Sequence, residues 1–197
     1  NILENITKTT VKLLIKEPFY GHFFTYIHRS LSEKIERVAL KLNSEGRLLL
    51  LINPSYWQSL TTEQQFGCIK HQILHLVFRH IYQTQKYGDK QRFDMASDLV
   101  VNQYLRKEQL EPNAIIIENV PFLNLPQGKS VGYYYQQLNA LSSQQIGADG
   151  CNSNEDQEGE SEPSTEHNEW SSFDAQSGAQ QKYIEEKLDN YATQSAD

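Results

Sequence analysis

Apolar positions recur at helical spacing through residues 3–16 (LENITKTTVKLLIK), which predicts an opening helix. EPFYGHFF then interrupts the pattern with Pro18 and Gly21, and a second helix is expected over 22–33, carrying Phe23, Phe24, Ile27 and Leu31. From 37 to 53 the period changes. Val38, Leu40 and Leu42 alternate with Ala39 and Lys41, NSEG supplies a turn, and 48–52 is a continuous apolar run ended by Pro54. Together these read as a β-hairpin. SLTTEQQF looks like a helix start, with Thr61 as cap and Gln64 three residues on. No Gly or Pro stands between Gly67 and Gly88, so this helix is expected to run for about six turns. Another helix fits 91–107, ahead of Pro112. A Pro-containing loop fills 113–128, and SVGYYYQQLNAL closes the body as a short helix. The expected class is α+β, mainly helical with a small antiparallel sheet.

Composition divides the chain further. From about Ser142 the residues are Ser, Gln, Asn, Gly and acids, and no Lys or Arg occurs between Lys129 and Lys182. Such a stretch buries too little apolar surface to offset chain entropy. The reading is a body at 1–141, an acidic Ser/Gln-rich flexible linker at 142–181, and the start of a following element at 182–197. Because the first residue is Asn1, the chain is read as an excised fragment of unknown native start, and YIEEKLDNYA as the entry to a further domain.

The net charge of −7 is uneven. Residues 1–141 hold 16 Lys/Arg against 12 Asp/Glu, or +4; residues 142–197 hold 2 against 13, or −11. A mildly basic body with an acidic tail lacks the concentrated basic face that nucleic-acid binding needs. No apolar run reaches a membrane-spanning length. Cys68 and Cys151 make no disulfide framework, so a reducing, cytoplasmic setting is expected.

The chemistry concentrates in CIKHQILHLVFRH, residues 68–80. Residues four apart on a helix differ by about 40° around its axis, so His71 and His75 project from one face. That geometry lets two imidazoles share one Zn²⁺. The bland alternative is a pair of satisfied core histidines without metal, and spacing alone does not separate the two. Ile69, Ile73, Leu74, Leu76, Val77 and Phe78 surround the pair, and imidazoles buried among them need partners. For a third ligand the best place is RFDMASDLVVNQYL, where Asp94, Asp98 and Asn102 recur every four residues beside Val101 and Leu105. Asp98 is the first choice. Asp94, His80 and His167 stay open as alternatives, although His80 lies about 140° further round an unbroken helix and His167 lies in the linker.

The segments EPFYGHFFTYIHR, LLINPSYW, IKHQILHLVFRH, MASDLVVNQYL and a distant EHNEW occur in that order. In this the chain resembles a bacterial metallopeptidase-like domain that precedes a VWA-like domain, in a family often encoded beside MoxR-class AAA ATPases. The likeness runs from about residue 10 to 140, plus the segment near Trp170. It implies a zincin-like helix with His71 and His75 as zinc ligands. It also favours Asp98 over Asp94 and gives Asn102 a supporting polar role. One position departs: Gln72 stands where the H-E-x-x-H pattern carries the glutamate that takes the proton of the attacking water. An amide can hold water but cannot act as base. The chain is therefore expected to be a disarmed zinc metallopeptidase, either a natural pseudoenzyme or a catalytic mutant made by a near-isosteric replacement. The alternative is a non-catalytic metal-binding adaptor working with a MoxR-class AAA ATPase. As a peptidase it would hold an extended peptide against the 47–52 strand or its hairpin partner.

Overall fold

A computed structural model describes residues 1–120, 124–145, 167, 170–174 and 178–196. Their elements are α1 (Ile2–Lys16), α2 (Pro18–Thr25), β1 (His28–Leu31), β2 (Val38–Leu42), β3 (Leu48–Ile52), α3 (Pro54–Ser59), α4 (Thr62–Val77), α5 (Lys90–Val101), α6 (Val131–Gln145), α7 (Ser171–Asp174) and α8 (Gly178–Ala196). The class is α+β, with helices around one three-stranded sheet. Among the described residues no helix is long and apolar enough to cross a membrane.

The hairpin forms where the alternation places it, β2 running antiparallel to β3 from Val38↔Ile52 to Leu42↔Leu48. The sheet is mixed rather than antiparallel, however, because β1 joins the other side of β3 in parallel. Residues 28–31 were expected to be helical. Pro18 starts α2 at its first position, where its fixed φ suits a helix and its missing N–H costs nothing. The helix is thus spent by Thr25, and the next residues are free to pair with β3.

α4 is the central rod and packs on α1, α2, α5, α8 and β2. Its start matches expectation: Thr61 Oγ1 accepts from Gln64 N, and the Gln64 side chain accepts from Thr61 N. Its end does not. α4 stops at Val77, and Arg79 adopts a left-handed backbone (φ 60°) that reverses the chain without a glycine.

Beside Gly67 the segment 106–110 lies directly on α4. There buried Lys70 donates to Glu17 (2.6 Å) and to the Gln109 side chain (2.8 Å), and Gln109 donates to Glu17 (2.7 Å). The pairing matters because a buried ammonium left alone would be costly. Most of the expected linker lies outside the described residues. Of those described, His167, Trp170 and Phe173 are buried against the body, and α8 packs on α2.

Candidate metal centre

Three stretches of chain bring four donor atoms together. α4 supplies His71 and His75 from one face, one turn apart, and α5 supplies Asp98 from the facing helix. The fourth is His167, which precedes α7 in the chain. Asp98 Oδ1 lies 3.4 Å from His71 Nε2, 3.2 Å from His75 Nε2 and 3.3 Å from His167 Nε2. The His71 and His75 Nε2 atoms are 2.9 Å apart, and all four donors fall within 4.8 Å of one another. A tetrahedral ion with bonds of about 2.0–2.1 Å needs donor separations of about 3.3–3.4 Å, which these distances approach.

The polar bookkeeping agrees. Asp98 Oδ1 and His167 Nε2 are buried and face each other, yet neither makes a hydrogen bond of acceptable angle. Buried polar atoms left so are rare and call for an explanation. Three imidazoles and a carboxylate aimed at one point fit a divalent cation.

Each imidazole is also held from behind. The Asn102 amide donates to Ile115 O (2.8 Å), which turns its Oδ1 toward His71 Nδ1 at 2.9 Å. That carbonyl can only accept, so His71 carries its proton on Nδ1 and keeps Nε2 free for the centre. His167 Nδ1 faces Asp94 Oδ1 at 3.4 Å. His75 Nδ1 faces His80 Nδ1 at 3.1 Å. Trp170 seals this side, its ring 4.9 Å from that of His75 and 4.2 Å from that of His167.

The residues singled out in the sequence are thus sorted. His71, His75 and Asp98 converge. Asp94, an alternative ligand, backs His167 instead. His80 is not among the four donors, nor does it point away as an unbroken helix would require; the Arg79 turn returns it to His75. His167, left open as an alternative third ligand, comes in as a fourth donor; spacing could not rank it, because it sits in a stretch of linker-like composition. The signal that could have found it is the EHNEW island, two aromatic-capable residues within an otherwise acidic run.

Gln72 is almost fully buried and does not line the adjoining cleft. That cleft, of ≈ 320 Å³, runs from His71, Asp98 and His167 past Met95 to Glu36 and Arg37 at the entry of β2. β3 is paired on both sides and has no edge to offer a peptide. Among the described residues β2 is an edge strand, and Ser172 Oγ takes its Leu42 N–H at 3.0 Å.

Charge in the centre follows from packing. Burial alone would push the Asp98 carboxyl up, but the facing His167 charge and the three imidazoles hold it well below the usual range. Burial would lower His167, but Asp98 and Asp94 outweigh it and raise it to about 10. Burial, then His71, holds His75 well below its usual value, and burial brings His80 to about 4. In the metal-free centre His167 is therefore held as the imidazolium. The sign follows directly. A raised pKa stabilises the metal-free fold fully below about 6.5, and that contribution fades as pH rises through about 10. A cation taking His167 Nε2 must displace that proton. Affinity for a divalent cation, tested with Zn²⁺ by chelator competition between pH 6 and pH 8, should rise about tenfold per pH unit. A flat profile would show that His167 gives up no proton to the ion.

A family model described as "Putative metallopeptidase domain" matches residues 4–196. No curated protein and no solved structure matches the chain. The match takes in both the α4 histidine pair and the segment bearing His167, and it covers nearly the whole chain: the protein belongs to this metallopeptidase-domain family.

Proposed function

We propose that the chain is a zinc metallopeptidase-type domain, with His71, His75 and Asp98 as protein ligands, His167 at the fourth vertex and Gln72 at the general-base position. The observation that carries this reading is the convergence of three buried imidazoles and a half-buried carboxylate at near-tetrahedral spacing. Imidazole nitrogens with one carboxylate oxygen suit zinc over magnesium or calcium, which prefer oxygen alone. When bound, zinc supplies a Lewis acid that polarises a carbonyl and makes its bound water acidic near neutrality.

The protein residues define the rest. Asn102 and Asp94 fix the His71 and His167 rings behind the ligand atoms. The cleft toward Arg37 and Glu36 offers a path for a peptide to reach Asp98. Gln72 can hold a water by its amide but cannot take its proton, so this form is disarmed.

A second reading has a specific observation in its favour. With His167 in place, four protein donors close the site, and closed zinc sites are usually structural. The domain would then be a metal-stapled adaptor in the cytoplasm, presenting its surface to a MoxR-class AAA ATPase and followed by a VWA-like domain.

Elemental analysis of the purified protein, with His75→Ala and His167→Ala, separates the readings. One zinc per chain in the wild type is expected, with loss of zinc and a retained fold in His75→Ala. If His167→Ala keeps zinc and gains an exchangeable solvent ligand, the peptidase-type centre stands. If either substitution unfolds the domain, the structural reading takes over. A wild-type protein that takes up no zinc ends both.

A further inference from the structure

The turn after α4 has a consequence for the centre. Phe78 N–H still bonds to Leu74 O (2.8 Å) and Arg79 N–H to Leu76 O (3.0 Å), and then the chain reverses at Arg79 in the left-handed region. A non-glycine residue there is uncommon and worth a functional question. Its guanidinium is tied to α8 through Asp189 Oδ1 at 2.5 Å. The reversal sets His80 beneath His75, buried, with the rings of Phe78 and Phe93 on either side.

Two Nδ1 atoms 3.1 Å apart can share only one proton. His75 directs Nε2 toward Asp98 and His71. If that nitrogen is to bind a cation it must carry a lone pair, so the ring proton belongs on Nδ1. His80 Nδ1 must then accept, with its own proton on Nε2.

We propose that His80 is a positioning residue of the metal centre, accepting the His75 Nδ1 proton and so fixing His75 in the tautomer and orientation that present Nε2 to a divalent cation. Metal-bound histidines usually donate their second nitrogen to a carboxylate or carbonyl. A neutral imidazole fits this site for a reason of charge. Asp94 and Asp98 already balance a divalent ion, and a third buried carboxylate would leave the centre negative. Asn102 is likewise neutral behind His71, and the charged Asp94 lies behind His167.

This inference rests on the proposed zinc site, and its test keeps the two apart. Zinc affinity is measured by chelator competition for the wild type, His80→Leu and His80→Asn, with circular dichroism to follow the fold. The His75 tautomer is read from two-bond ¹⁵N–¹H correlations in the zinc-loaded wild type. His80→Leu fills the space without an acceptor and should weaken zinc about 10–100-fold. His80→Asn places a carbonyl near the lost Nδ1 and should restore affinity to within about threefold of wild type. The loaded wild type should carry its His75 proton on Nδ1. Unchanged affinity in folded His80→Leu overturns the role of His80 alone. So does an Asn variant as weak as the Leu variant, or a His75 proton found on Nε2. Should His80→Leu fail to fold, the Asn variant and the tautomer decide. A wild-type chain that binds no zinc overturns the metal centre and this role with it.

Discussion

Replacing Gln72 with glutamate should raise peptide hydrolysis by the zinc-loaded protein about 10²–10⁴-fold over the wild-type chain, the range a positioned general base contributes. The change is nearly isosteric, so α4 has no reason to move, and what it adds is a proton acceptor one residue from His71. It also adds charge. Gln72 is 1% exposed, and a carboxylate there is desolvated, which pushes its pKa up and destabilises the metal-free protein. Zinc offsets that cost. The variant should therefore be less stable than wild type without metal and recover with it. Turnover of a quenched fluorescent peptide library gives the readout, with His75→Ala in the Gln72→Glu background as control. No gain in a folded, zinc-stoichiometric variant would show that a missing base is not what limits the chain. The closed fourth vertex would then be the obstacle, and adding His167→Ala to Gln72→Glu is the direct check.

Gly67→Ala should destabilise the fold by about 3 kcal/mol, although helix propensity argues the other way. Alanine in a helix interior is ordinarily favoured over glycine by roughly 1 kcal/mol. Here a Cβ would stand 2.6 Å from the Gln109 carbonyl carbon and closer still to its oxygen. Overpacking of this kind costs about 1–3 kcal/mol and occasionally more, and it can be relieved only if the neighbour yields. Gln109 cannot yield cheaply. Its side chain is held by Lys70 and Glu17, and pulling it away leaves a buried ammonium one acceptor short. The upper part of the range therefore applies, and it outweighs propensity. Urea unfolding followed by circular dichroism measures it. An alanine variant as stable as wild type would mean that the 106–110 segment is not fixed in place.

What could be read in the sequence was local. The hairpin declared itself through alternation, and the start of α4 through Thr61 and Gln64. The facing of His71 and His75 followed from helical spacing, and the α5 stripe brought Asp98 forward. What escaped was set by contacts distant along the chain. β1 is a strand only because β3 accepts it. α4 ends at Val77 although no Gly or Pro marks the place, because Arg79 tolerates a left-handed turn and is tied to α8. That turn reversed the expectation for His80. His167 could be named only as an alternative ligand, since a residue flanked by acids and amides gives no sign that Trp170 beside it will be buried. Among the sequence features, only the small aromatic island in that stretch pointed there.

The donors of the centre come from α4, from α5 and from a segment near the far end of the chain. An ion seated among them would add a staple between regions that already meet where α8 packs on α2 and α7 on β2. Loading and cohesion of the protein would then be one quantity, because every increment of binding free energy also clamps the last third of the chain to the first two. The supply of metal around the protein, rather than its own core alone, would set how firmly that last third is held.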